Sequence, residues 1–145
     1  MKRNPARMKY QKDTRSSLLC ILSILFNVYY FISVFRSGNI TPDVVMGLDV
    51  IINIVFMMLV FLTSEKLKAY APKWNRIAAA LGVFEALRVF ILPLHYHKLG
   101  MLTGGLYMGA VAALLLAALC LIGAGVNATI NGRLLRREVK AAGGE

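Results

Sequence analysis

The chain has 145 residues, of which 58% are hydrophobic and 17% are charged, so it is more apolar and less charged than a typical soluble domain. Its net charge of +10 would suit a nucleic-acid-binding protein, but the basic residues cluster beside long apolar segments. That distribution is typical of membrane proteins. It excludes a nucleic-acid partner and makes the lipid bilayer the expected surroundings.

Long stretches without charge decide the fold class. No charged residue lies between Arg15 and Arg36, or between Lys98 and Arg133. Because about 20 apolar residues cross the hydrocarbon core, such runs predict spanning helices. We expect an all-α, polytopic membrane protein with four transmembrane helices in an up-down bundle. The predicted segments are a basic N-terminal segment (1–16), a membrane domain (17–126, with helices at about 17–35, 44–64, 73–92 and 106–126) and a basic C-terminal tail (127–145).

Local signals set the boundaries in chain order. The first apolar run follows a basic N-terminus, but it is longer than a usual signal-peptide core and no cleavage site follows, so we interpret it as a retained signal anchor. Thr41, Pro42 and Asp43 read as the N-cap, the first position and a dipole-matched acid of the second helix. The third helix is predicted to end at Pro93, because proline interrupts helical hydrogen bonding.

Lysine and arginine predict the orientation, because cytoplasmic loops carry an excess of both. The N-terminal segment carries six, the connection between the second and third helices carries four, and the C-terminal segment carries four. Each of the other two connections carries one. Both termini are therefore predicted to be cytoplasmic, and we expect the protein in the cell membrane of a bacterium.

Small residues recur at four-residue spacing on the last two helices, a pattern that lets helix backbones approach closely in lipid. We favour packing of the third helix on the fourth within one chain, and a dimer along the fourth helix remains the alternative. The predicted packing residues are Ala78, Gly82, Ala86, Gly105, Gly109, Ala113 and Ala117.

Six polar residues interrupt the apolar runs of the first three helices at two matching depths. One level lies roughly 12–13 Å from the outer helix ends and the other roughly 8–9 Å, at about 1.5 Å per residue. The two residues on each helix are three or four apart and share a face. We therefore expect all six to meet in the outer half of the membrane. They are Asn27 and Tyr30, Asp49 and Asn53, and Glu85 and Arg88.

Insertion energies favour this grouping. A charge near a helix centre costs about 2.5–3.5 kcal/mol, so Glu85 and Arg88 together cost roughly 5–7 kcal/mol. The apolar residues of the same helix contribute only about −4 to −5 kcal/mol, so it should need partners from its neighbours. Arg88 between Asp49 and Glu85 leaves a deficit of one positive charge, which a proton, a bound cation or a cationic ligand would supply. The structural alternative is a buried network that only fixes helix register.

The leading functional hypothesis is that the protein binds or transports a small solute or ion through this cluster. Glu85 would respond to a proton or cation, because desolvation favours its neutral form. Arg88 would hold the acids or bind an anion, Asp49 would pair with Arg88, and the three remaining residues would orient the ligand. Four helices are few to enclose a pathway, so transport would require a homo-oligomer.

A different class of function remains open. The protein would then be a non-catalytic subunit or scaffold of a larger membrane complex, docked through its small-residue faces and basic segments. No catalytic constellation, zinc-ligand spacing or cofactor motif is visible in the sequence. We therefore expect no enzyme activity, no resident metal and no cofactor.

Overall fold

The computed structural model describes residues 12–36 and 43–141. Four helices occupy most of this part of the chain: α1 (Thr14–Phe35), α2 (Val44–Lys68), α3 (Pro72–Lys98) and α4 (Gly104–Ala141). Each is long and apolar enough to cross a membrane, which confirms the prediction of four apolar helices of spanning length. The predicted start signal at Thr41 and Pro42 lies outside the described residues, as do segments 1–11 and 142–145.

Consecutive helices run antiparallel, and α4 packs along both α1 and α3. The start of α1 meets the end of α2 where the Ser17 and Ser64 hydroxyls lie 2.7 Å apart. Helices α3 and α4 also run antiparallel, because Gly82 faces Ile122 whereas Asn75, earlier in α3, faces Gly125, later in α4. The contact between α2 and α3 is much the thinnest of the four.

The distribution of polar and apolar side chains is the reverse of that in a soluble protein. The faces turned away from the bundle carry large apolar side chains such as Ile51 and Phe90, which are 61% and 73% exposed. The interior, by contrast, holds the charged groups of Asp49, Glu85 and Arg88. Exposed apolar surface on this scale is unfavourable in water and favourable in lipid, so the surface of the bundle suits a bilayer.

Helix α1 begins three residues before the predicted start because Asp13 caps it. The Asp13 carboxylate accepts hydrogen bonds from the backbone nitrogen of Ser16 at 3.2 Å and from its hydroxyl at 2.7 Å. An aspartate at this position accepts one of the N–H groups that the first helical turn leaves unpaired.

The predicted end of the third helix at Pro93 is wrong. Pro93 lies buried inside α3, which continues to Lys98. Proline removes a single backbone donor, and the helix resumes because Tyr96 in the next turn is fully buried in the core. The true stop is Gly100, whose φ of +72° suits glycine, and the backbone nitrogen of Met101 then donates to the Tyr96 carbonyl at 3.0 Å.

The fourth helix extends through most of the segment predicted to be a tail. It runs 38 residues to Ala141 rather than ending near Val126, which corresponds to about 57 Å of helix against a hydrocarbon core of about 30 Å. The segment after Val126 contains no proline and many good helix formers, and Asn127 is fixed by donating to the Ser16 hydroxyl at 2.9 Å. The helix therefore projects beyond the bundle at its C-terminal end.

Small residues allow α3 and α4 to approach closely. Some of these residues are among those predicted for packing, and others are not. A Cβ atom added at Gly82 would lie 2.6 Å from the Ile122 side chain, and one added at Gly125 would lie 2.7 Å from the Asn75 carbonyl oxygen. Gly125 was not among the predicted packing residues. Ala78, Ala113 and Ala117 are buried, and Ala86 is half-buried. Gly109 faces the Tyr29 hydroxyl of α1, whereas Gly105 is exposed and a Cβ added there would have no neighbour within 4 Å.

This difference between two glycines of α4 is testable. Gly125→Ala should lower the free energy of unfolding by about 1–3 kcal/mol, because the new methyl group meets the backbone of α3, which cannot move alone. Gly105→Ala is the control and should leave stability unchanged or slightly raised, since alanine favours helix and meets nothing there. Unfolding in mixed micelles measures both. Equal stability of the two variants would contradict the close packing of α3 on α4.

Candidate functional site

The structure brings the six predicted polar residues together in one buried cluster. Helix α1 supplies Asn27 and Tyr30, α2 supplies Asp49 and Asn53, and α3 supplies Glu85 and Arg88. Each pair occupies a single helix face because its members are three or four residues apart. Every member is at most 5% exposed. We call these six residues the polar cluster.

The guanidinium group of Arg88 is the centre of the polar cluster. Its Nη2 atom donates to Asp49 Oδ1 at 3.0 Å, and its Nη1 atom donates to Glu85 Oε2 at 2.9 Å. Nη1 also lies 3.3 Å from the side-chain oxygen of Asn27. The amide oxygen of Asn53 lies 3.5 Å from both Nη atoms. Arg88 therefore connects its own helix to α1 and α2 through the planar fork that suits guanidinium recognition.

The second oxygen of Asp49 is held by two phenol groups. The Tyr30 hydroxyl donates to Asp49 Oδ2 at 3.1 Å, and the Tyr96 hydroxyl donates to the same atom at 2.9 Å. Tyr96 was not among the six residues that the sequence predicted for the site. The helical spacing from Arg88 would have placed it on the same face, two turns on, had the helix not been predicted to end at Pro93.

Aromatic rings flank the cation. The guanidinium carbon of Arg88 lies 5.7 Å from the centre of the Tyr30 ring and 5.6 Å from that of Phe56. Ring faces attract cations, and they also exclude lipid and water from the group that they cover. Two apolar layers close the site along the bundle axis. One contains Val34, Tyr96 and Leu114, and the other contains Cys20, Phe56 and Leu121.

Several buried polar atoms of this region have no hydrogen-bond partner in the described part of the chain. They include Glu85 Oε1, which is an acceptor, and Asn53 Nδ2 and Arg88 Nε, which are donors. The hydroxyl of Ser23, one helical turn before Asn27, is a fourth. Buried polar groups normally find partners, so such a concentration marks a place that suits a small polar ligand, a proton or ordered water.

The charge of the polar cluster is unbalanced. One guanidinium group faces two carboxylates, so the cluster carries a net charge of −1 when both acids are ionised. Uncompensated charge is costly in a low-dielectric interior. A proton on Glu85 or a small cation beside it would remove the imbalance. An added anion, in contrast, would meet the two carboxylates.

The two histidines of α3 lie beyond the polar cluster. His95 Nε2 lies 3.2 Å from Asp43 Oδ2, and His97 Nδ1 lies 2.7 Å from the Leu102 carbonyl oxygen. Within residues 12–36 and 43–141, no three His, Cys, Asp or Glu side chains are grouped so as to hold a metal ion.

A second polar contact region, missed in the sequence, lies at the opposite end of the bundle. Ser17 and Ser64 bond to each other, and Asn127 of α4 bonds to Ser16 of α1. Serine and asparagine bonds across helices stabilise membrane bundles modestly.

We found no protein-family model, curated protein or solved structure that matches this chain. The polar cluster is therefore the feature of this chain that points to a function.

The energetic role of Arg88 is testable apart from any function. Arg88→Met should lower the free energy of unfolding by about 3–5 kcal/mol, because it leaves two buried carboxylates without a cation. Combining it with Glu85→Gln and Asp49→Asn should restore part of that loss. Arg76→Met, which changes an exposed arginine of the same helix, should stay within about 0.5 kcal/mol of the wild type. A loss from Arg88→Met no larger than that of Arg76→Met would contradict this account of the cluster.

Proposed function

We propose that this chain is a small multi-pass protein of the cell membrane that binds or transports a small solute or ion through the polar cluster. The single observation that carries the proposal is the pairing of one arginine with two buried carboxylates, one of which has an unpartnered oxygen. Ionisable groups inside a membrane bundle are costly, and they commonly mark ion or substrate pathways.

The geometry favours a proton or a small cation over an anion as the species taken up. Both terminal nitrogens of Arg88 are engaged by acidic or amide oxygens, so little of the guanidinium group is available to an incoming anion. Glu85 is the proposed uptake residue, because Oε2 accepts from Arg88 whereas Oε1 has no partner. Asp49 is the weaker candidate, since three donors already satisfy it.

The proposed orientation places both termini in the cytoplasm and the polar cluster in the outer half of the membrane. The excess of lysine and arginine in the terminal segments and in the connection between α2 and α3 supports it. Four helices packed this closely leave little room for a continuous pathway through one chain, so the proposed transporter is a homo-oligomer. No catalytic activity is part of this proposal.

Reconstitution into liposomes tests the transport role. With a trapped pH dye and imposed proton, Na⁺ or K⁺ gradients, the wild type should move at least one of these ions. Glu85→Gln should reduce that flux by tenfold or more and Asp49→Asn should also reduce it, because each removes a charge that attracts the cation.

Glu65→Gln is the matched control for this assay. Glu65 is exposed and pairs with Lys68 at 2.6 Å on the surface of α2, far from the polar cluster. Its variant should keep the wild-type flux. If Glu85→Gln and Asp49→Asn fold and transport as well as Glu65→Gln does, the polar cluster is structural only.

One observation favours a second candidate function, that of a non-catalytic subunit or scaffold in a larger membrane complex. The projecting part of α4 carries four exposed cations at positions i, i+3, i+4 and i+7, which share one helix face. These residues are Arg133, Arg136, Arg137 and Lys140.

Purification in gentle detergent distinguishes the two candidates. A subunit should co-purify with a defined partner, and replacing the four cations by glutamine should release that partner without changing the helix content of the chain. A homogeneous homo-oligomer that survives the same replacement would exclude docking through this face.

A further inference from the structure

An open groove lies between α1 and α4 at the end of the bundle where α1 begins. Its volume is about 420 Å³. We call it the basic-end groove, and it is lined by Arg15, Leu18, Leu19, Leu22 and Asn127. It is separate from the polar cluster, which lies farther along α1.

The groove has a charged end and an apolar wall, an arrangement that matches an amphiphilic molecule. Arg15 stands at one end, and the last of the three leucines lies about 10 Å farther along α1 at 1.5 Å per residue. Leu18 and Leu22 are 58% and 41% exposed, so the apolar lining is open at the surface of the bundle. Asn127 is held in place because its amide donates to the Ser16 hydroxyl at 2.9 Å.

The charge at the head of the groove is not engaged by a carboxylate of the described part of the chain. Arg15 forms no ion pair with a described residue. The carboxylate of the neighbouring Asp13 is buried and accepts both of its hydrogen bonds from Ser16. Glu65, at the same end of the bundle, is paired with Lys68. An anion next to Arg15 would therefore complement the local charge.

We propose that the basic-end groove binds an anionic phospholipid. The phosphate would contact the guanidinium group of Arg15, and one acyl chain would lie along Leu18, Leu19 and Leu22. Arg15 lies in the first turn of α1, next to the cap at Asp13, where the apolar helix surface gives way to polar groups. Lipid phosphates occupy that level of a bilayer. An anionic lipid is favoured over a zwitterionic one because its phosphate has no ammonium group competing with the arginine.

Tryptophan fluorescence tests this site directly, because the chain has a single tryptophan, Trp74. In a Trp74→Phe background, Leu22→Trp places a reporter in the groove and Leu25→Trp places one on the same helix outside it. Both proteins are reconstituted into phosphatidylcholine vesicles in which one lipid in five is brominated phosphatidylglycerol or brominated phosphatidylcholine. The groove reporter should be quenched more strongly by the brominated anionic lipid, and the outside reporter equally by both.

Charge variants then assign the preference to Arg15. Arg15→Gln should weaken the preference of the groove reporter by about fivefold, since one surface arginine contributes about that factor to anionic-lipid binding. Arg133→Gln removes a cation outside the groove and should leave the preference intact. Circular dichroism confirms that each variant is helical, and Leu18→Trp replaces Leu22→Trp if that variant does not fold.

Two outcomes would overturn the proposal. One is equal quenching of the groove reporter by the two brominated lipids. The other is an anionic preference that survives Arg15→Gln and falls with Arg133→Gln, which would show general attraction to a basic surface. Because neither measurement depends on ion flux, failure here leaves the proposed role of the polar cluster untouched.

Discussion

Hydrocarbon cannot solvate a guanidinium group, so Arg88 must find all its partners inside the bundle. That requirement fixes much of the fold. Asp49 and Glu85 provide the charge, Asn27 provides an amide oxygen, and the Tyr30 ring covers one side. Because these groups belong to three helices, each helix has one rotation and one depth at which the charge of Arg88 is paired. Apolar packing in lipid would tolerate several rotations and depths of each helix.

The polar cluster contributes most to holding the helices together where the apolar packing between them is weakest. Helix α4 lies against α1 and α3 along extended contacts, with glycine allowing backbones to meet at Gly82 and Gly125. Helix α2 packs on α1 but touches α3 only sparsely. The bond between Arg88 and Asp49 crosses this thin contact. A change in the charge of the cluster would therefore alter the attachment of α2 before that of any other helix. The proposed uptake of a proton or cation would thereby change how firmly α2 is held in the bundle.

Helical periodicity explains what the sequence could predict. Long uncharged runs located α1 and α4, and apolar segments interrupted by Asp49, or by Glu85 and Arg88, located α2 and α3. Spacing of three or four residues placed Glu85 and Arg88 on one helix face. Tyr96 was missed because Pro93 was taken as a helix end, whereas one lost backbone bond did not outweigh the burial of the next turn. Gly125 continues the four-residue spacing from Gly105, but it was missed because Leu121 interrupts the small-residue pattern after Ala117. Which positions of α4 meet α3 depends on tertiary packing that no single-helix pattern contains.

Hydrogen bonding and charge support the proposal that the polar cluster does more than hold helices in register. A buried network kept only for structure is most stable when its charges balance and every polar atom has a partner. Here a second acid is present although one would neutralise Arg88, and Glu85 Oε1 remains unpartnered at a fully buried position. Glutamine at that position could still accept from Arg88 and would remove the excess charge. A carboxylate, in contrast, can also gain and lose a proton or attract a cation, and that is the property that the proposed function requires.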